Sequence, residues 1–318
     1  MDVAETLVTV FGGSGFLGRY VVKRLAQRGC RVRVAVRRPD GAGFLRPMGN
    51  VGQIVPIQAN LRHEGSIRAA LEGADHVINL VGILAEGGNQ RFADIHAQGA
   101  RRIAEAATAA GVASLVHVSA IGADERAEAE YARTKGMAER LVRAAFPGAV
   151  IMRPSIVFGP EDQFFNRFAS MARYSPFLPL IGGGQTRFQP VYAGDVADAV
   201  VLALFDPTCA GRTYELGGPR IYTFEDILRI VLAETGRKRV LLPIPWSIAR
   251  LQGSVLEKLP GKLLTRDQVT MLGTDNVVAP DAAGFADLGL TPTSVEAVVP
   301  AYLYRFRRTG EFKPSGIG

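Results

Sequence analysis

Apolar positions in the first half of the chain alternate between two periods. Short β-branched runs at 6–11, 31–37, 53–58, 76–81, 114–119 and 149–153 read as strands. Stretches at 15–28, 65–71, 91–110 and 129–145 place apolar residues three and four apart, which is one face of a helix. Strands and helices alternating through short connections predict an α/β fold, a Rossmann-type doubly wound parallel sheet.

After Pro154 the pattern changes. Glycine and proline become dense, as in Pro176-Phe-Leu-Pro-Leu-Ile-Gly-Gly-Gly184, before helical spacing returns at 194–205 and 224–234. The expected division is a dinucleotide-binding domain over 1–160, with about 189–205 packing back on it. A smaller C-terminal α/β lobe with a basic tail follows over 161–318, set over the carboxyl ends of the strands, where such sheets bind ligands. Within the lobe, 242–259 is amphipathic at helical spacing. Ile248, Leu251, Val255 and Leu259 share one side, with Arg250, Glu257 and Lys258 elsewhere. Such a helix can pack on its own lobe or lie at a membrane surface, where Trp246 would suit the boundary between water and lipid.

Charge adds one constraint. The 318 residues carry a net charge of +7, and the segment 19–46 sets many arginines and lysines against Asp40 alone. Further basic groups are Arg237-Lys-Arg239 and Arg305-x-Arg307-Arg308. Such patches suit nucleotide phosphate, anionic lipid or an acidic protein. No nucleic-acid-binding signature accompanies them, so no nucleic-acid partner is expected. Cys30 and Cys209 lack metal spacing and suggest reduced thiols, and no metal is expected. Apolar runs are too short to span a bilayer, and the first strand leaves no room for a leader peptide.

The candidate chemistry begins at Phe11. The first strand ends in Gly12-Gly-Ser14-Gly15-Phe16-Leu17-Gly18 and opens directly into a helix. Gly12, Gly15 and Gly18 fit G-x-x-G-x-x-G, while Gly13, Gly15 and Gly18 fit G-x-G-x-x-G. Either spacing suits a tight turn that brings backbone and a helix N-terminus to a pyrophosphate. The second strand runs into Arg37-Arg38, where an NAD site usually carries a carboxylate. Guanidinium groups there favour a 2′-phosphate, hence NADPH. Asn60-Leu61 and Val81-Gly82 follow the third and fourth strands and are candidate contacts to the adenosine half. Tyr131 and Lys135 lie four apart on one helix face, and Ser119 ends the fifth strand. Together they could polarise a carbonyl, exchange a proton and hold the nicotinamide ribose.

These residues resemble the short-chain dehydrogenase/reductase superfamily in its extended or atypical branch. The resemblance also covers Arg153-Pro-Ser-Ile-Val-Phe-Gly159, and implies that Pro154, Ile156 and Phe158 lie along the nicotinamide half of the cofactor. Two departures bear on turnover. The segment 121–130 between serine and tyrosine is short, and His96 stands in a helix that usually carries asparagine. The bland reading of His96 is a packed, hydrogen-bonded residue.

A narrower resemblance rests on 146–171, above all Phe164-Phe-Asn-Arg-Phe-Ala-Ser-Met171, with Gln189-Pro-Val-Tyr-Ala-Gly-Asp-Val196 and Leu264-Thr-Arg-Asp-Gln-Val269. These segments look like the 39-kDa-type accessory subunits of respiratory complex I (NADH:ubiquinone oxidoreductase). That likeness implies tightly held NADPH, complex I subunits as partners, and a structural role in this electron-transport complex. Ser119, Tyr131 and Lys135 would then be remnants of a catalytic set. It also implies a peripheral membrane location, on the cytoplasmic face of the inner membrane in a bacterial version. The alternative is a free NADPH-dependent reductase, or an enzyme like the nucleotide-sugar epimerases and dehydratases.

Overall fold

The computed structural model describes residues 5–257, 264–308 and 310. Leu259 and Lys258 of the expected amphipathic segment, and 311–318 of the tail, lie outside the described residues.

The elements follow the pattern of apolar positions closely. β1 (Leu7–Phe11), α1 (Phe16–Gln27), β2 (Arg31–Val36), β3 (Ile54–Gln58), α2 (Glu64–Leu71) and β4 (His76–Asn79) come first. A π-helical turn, Ala93–Gln98, then leads into α3 (Gly99–Ala109), so the helix expected over 91–110 changes pitch part-way. β5 (Ser114–Val118), α4 (Glu130–Ala145) and β6 (Val150–Pro154) complete the first run.

The chain continues through β7 (Val157–Phe158), α5 (Phe165–Tyr174), β8 (Phe177–Ile181), β9 (Arg187–Phe188) and β10 (Val191–Tyr192). Next come α6 (Ala193–Phe205), β11 (Thr213–Leu216), β12 (Tyr222–Thr223), α7 (Phe224–Glu234), β13 (Val240–Ile244), α8 (Trp246–Leu256) and α9 (Arg266–Leu272).

Two compact units result. The first holds the chain through Pro154 together with Ala193–Leu216 and Ala279–Leu290. Its seven strands are ordered β11-β6-β5-β4-β1-β2-β3, every pair parallel. The order reverses at β1, where β4 lies on one side and β2 on the other. In doubly wound sheets that switch point opens a crevice at the carboxyl ends of the strands. Strands of such a sheet are covered on both faces, which explains their near-continuous apolar sequence. Val8, Val10, Val34, Val77, Ile78 and Val116 are accordingly buried. Across the sheet edge, Arg153 makes two bonds to buried Glu139 (2.7 and 2.9 Å) and one to Glu215 (3.4 Å), whose other oxygen accepts from the Ala279 N–H.

The second unit holds Ser155–Tyr192, Gly217–Val278 and the chain from Thr291 onward. Its core packs α5 and α7 around Phe158, Phe165, Phe188 and Phe224. Two-stranded pairings, β7 with β10, β8 with β13 and β9 with β12, surround that core. Thr223 starts α7 with a reciprocal capping box to Asp226. Helix α8 buries Ala249 and Gly253, while Ile248, Leu251 and Val255 are 48%, 67% and 56% exposed. The larger apolar side chains of this amphipathic helix therefore face outward. Trp246 is only partly buried and lies against the backbone of Gly182, where a Cβ would collide with the indole.

Candidate dinucleotide site

The glycine turn is dictated by close approach. Gly12 sits at φ +80°, and a Cβ there would lie 3.2 Å from the backbone of Leu80 and Val81, just past the end of the neighbouring strand β4. A Cβ on Gly18 would fall 2.6 Å from the Gly13 Cα, so α1 approaches the turn only because position 18 lacks one. Gly15 differs. It is exposed, and a Cβ there would meet only the Gly12 carbonyl, at 3.2 Å. It is also the N-cap of α1. No side chain caps that terminus and no acid lies in its first turn. A helix start with these properties favours an anion. Ser14, Phe16 and Leu17 complete the turn, each partly buried.

Arg37 and Arg38 follow β2 directly and are both exposed. With the Gln90 amide oriented so that its oxygen faces the guanidinium, Arg37 Nη2 donates to it at 3.0 Å. Asn60 forms a local turn, its Oδ1 accepting from the Arg62 N–H at 3.1 Å. The Leu61 side chain is buried in the apolar core and its carbonyl accepts from Arg102. Val81 and Gly82 follow β4. A Cβ on Gly82 would lie 3.4 Å from Lys135 Nζ and 3.8 Å from His96 Nε2, so this glycine stands beside the lysine.

Around Lys135 the structure gathers more polar groups than sequence reasoning found. Lys135 is 3% exposed, its Nζ donates to the Val118 carbonyl at 3.1 Å, and it lies 6.0 Å from the Tyr131 ring centre. Burial pushes its pKa down to about 8, partly opposed by Glu139. His117 and Asn79 face each other across β5 and β4, in register, with Asn79 Nδ2 3.0 Å from His117 Nδ1. Asn79 Oδ1 accepts from the Val81 N–H, so its amide nitrogen is the group offered to His117. The His117 proton therefore sits on Nε2, a buried atom with no hydrogen-bond partner. Burial, and then the Lys135 charge, lower the His117 pKa to about 3. Ser119 Oγ is likewise buried without a partner.

Sequence reasoning missed Asn79, His117 and Thr134. The available signal was a polar residue at the carboxyl end of an otherwise apolar strand, in His76-Val-Ile-Asn79 and Ser114-Leu-Val-His-Val118. Of the segment thought to line the nicotinamide, Pro154 ends β6, and its carbonyl accepts from the Ile121 N–H. Ile156 and Phe158 belong to the second unit. Ile156 N–H donates to Asn276 Oδ1, and the Phe158 ring is fully buried among Phe165 and Tyr192.

A glycine-rich turn, an uncapped helix start and an unsatisfied buried hydroxyl together fit a dinucleotide. A protein-family model for the NAD dependent epimerase/dehydratase family matches residues 8–217. The chain belongs to that family. Among curated relatives of this epimerase/dehydratase family member is the mitochondrial NADH dehydrogenase [ubiquinone] 1 alpha subcomplex subunit 9 of Arabidopsis thaliana. It is 37% identical over 97% of this chain and 80% of its own length. The Mus musculus protein of the same name is 35% identical over 96% and 82%. The chain is therefore homologous to the 39-kDa-type accessory subunit, as its 146–171 segment implies. Among solved structures, the crystal structure of gox2253 superposes with a TM-score of 0.73 at 22% identity, covering 97% of this chain and all of that one. That likeness bears on the fold alone.

Proposed function

We propose that this chain is an accessory subunit of a respiratory NADH:ubiquinone oxidoreductase, carrying NADPH as a bound group that does not turn over. Its role is structural: it supports assembly of the peripheral arm near the membrane, on the cytoplasmic face of a bacterial inner membrane. The observation that carries this reading is similarity to the mitochondrial subunit through 97% of the chain. In this reading the Gly12–Gly18 turn holds the pyrophosphate, and Arg37 and Arg38 hold the 2′-phosphate. Asn60, Leu61 and Val81 border the adenosine. Gly82, expected from the sequence on the adenosine side but standing beside Lys135, serves the nicotinamide half with Ser119, Tyr131, Lys135 and Pro154. The exposed Ile248, Leu251 and Val255 supply an apolar face for lipid or a neighbouring subunit, beside the basic 237–239 segment. No helix among the described residues is long and apolar enough to cross a membrane, so such contact would be interfacial.

Ser119, Tyr131 and Lys135 are all retained, which favours a second reading as a free NADPH-dependent reductase or epimerase/dehydratase-like enzyme. Tyr131→Phe separates the two. In assembled complexes of verified composition it should leave quinone reduction by NADH within about twofold, because proton transfer is the hydroxyl's only catalytic use. A loss of quinone reduction would contradict the structural role. Rapid turnover of a carbonyl substrate by the isolated chain, abolished by the same change, would favour the enzyme.

A further inference from the structure

His96 is 1% exposed and lies in the π-helical turn ahead of α3. Such turns concentrate at functional sites. The Ile83 N–H donates to His96 Nε2 at 3.0 Å. A backbone amide can only donate, so Nε2 is the unprotonated nitrogen and the proton sits on Nδ1. Nδ1 lies 3.1 Å from Thr134 Oγ1, which in turn donates to the Tyr131 carbonyl at 3.0 Å. Each donor and acceptor along this path is used once. The ring also packs at 5.3 Å and 87° against Tyr131 and at 5.2 Å against Phe92.

The two ends of the path matter. Ile83 follows Gly82, which stands beside Lys135. Thr134 lies between Tyr131 and Lys135 on α4. One imidazole therefore fixes both walls around the lysine: the loop after β4 and the first turns of α4. The charged and titratable groups facing it are Lys135, His117 and the Tyr131 phenol. Burial, followed by the Lys135 and His117 charges, holds the His96 pKa down at about 2. The ring thus stays neutral, and its tautomer is set by a backbone group that cannot change.

We propose that His96 is a positioning residue for the nicotinamide half of the cofactor cleft. It is a neutral, fixed-tautomer link that holds the 82–83 loop against the helix carrying Tyr131 and Lys135. The inference rests on the dinucleotide reading above, and half-molecules of the cofactor make it testable. Adenosine 2′,5′-bisphosphate carries both phosphates of the adenosine half and lacks the nicotinamide. A residue that merely supports the fold would affect both ligands alike. A residue that positions the nicotinamide half would affect NADPH alone.

The test uses the full chain with His96→Phe, Thr134→Val and the double variant, titrated with both ligands. Phenylalanine keeps the ring packing and deletes both nitrogens. Thr134→Val keeps the imidazole, deletes the acceptor of Nδ1 together with the donor to the Tyr131 carbonyl, and guards against misfolding of the first variant. His96→Phe should weaken NADPH roughly tenfold or more, the scale of a lost hydrogen bond with a stranded partner. Thr134→Val should weaken it by about fivefold, and the double variant should match His96→Phe within about twofold, because both cut one path. Adenosine 2′,5′-bisphosphate should bind all variants within about twofold of wild type. Equal weakening of both ligands, or losses that multiply in the double variant, would overturn the proposal. If wild type binds neither ligand, the dinucleotide reading fails instead. In that case nitrogen NMR of the imidazole still decides the link. Protonated Nδ1, bare Nε2 and no titration from about pH 5 to about pH 9 are expected, and the other tautomer or a titrating ring would refute it.

Discussion

Replacing Arg37 and Arg38 together with alanine tests cofactor choice where the structure makes the magnitude calculable. Both guanidinium groups are exposed at the carboxyl end of β2, and Gln90 braces Arg37. A hydrogen bond to a charged group contributes about 1.5–3 kcal/mol. Exposure places each arginine at the lower end, because water screens the contact. Two contacts of about 1.5 kcal/mol each amount to roughly a hundredfold in affinity, one factor of ten per 1.4 kcal/mol. NADH has no 2′-phosphate and should change by no more than about twofold. Gln90→Ala removes only the brace and should cost NADPH a few-fold at most, on the order of 0.5–1 kcal/mol. The assay is calorimetric titration of stripped protein with each nucleotide at fixed salt, repeated at higher salt. The NADPH advantage should shrink as salt rises in wild type and be absent in the double variant. Equal losses for NADPH and NADH, or wild type preferring NADH, would refute the assignment of these arginines.

Gly18→Ala drives a methyl to 2.6 Å from the Gly13 Cα, and should cost about 1–3 kcal/mol of stability, the scale of overpacking, with loss of nucleotide retention; an unchanged melting curve with full occupancy would argue against the turn. Lys135→Met should stabilise the apo chain while abolishing most of the stabilisation that NADPH confers. The lysine pKa falls from 10.5 to about 8 on folding, so the unfolded state binds the extra proton between these values. The burial cost is therefore fully present below about pH 8, fades as pH rises toward 10.5, and amounts to about 3 kcal/mol. Apo wild type should gain on Lys135→Met in melting temperature over that window, and a constant difference would contradict the shift. Ile248→Glu with Leu251→Glu, both on the exposed face of α8, should release the chain from membranes without altering NADPH affinity; retention in the membrane fraction would remove that face from the account.

Much of the first unit was legible because its cues are local. The glycine turn lies between a β-branched run and a helical period; in the second unit, helix α7 is marked in the same local way, beginning at a capping box and spanning the expected 224–234. What escaped depends on residues distant in sequence. β11 is four residues long and reaches its partner β6 only after the 155–192 excursion, so nothing local marks it as the seventh strand. The β8–β13 pairing joins segments with no shared turn. The Asn79–His117 contact exists only because β4 and β5 pair in that register. His96 showed as a departure from its family's asparagine, but its partners Ile83 and Thr134 became visible only once the π turn brought the three elements together.

The central claim is membership in a respiratory complex with NADPH in place, and purification of that complex from native membranes through a tagged core subunit tests it most directly. This chain should be found in the purified NADH:ubiquinone oxidoreductase at one copy per complex, with NADP(H) released on denaturation in equal amount. A complex complete without the chain, or a chain found wholly apart from membranes and carrying only NAD, would contradict it.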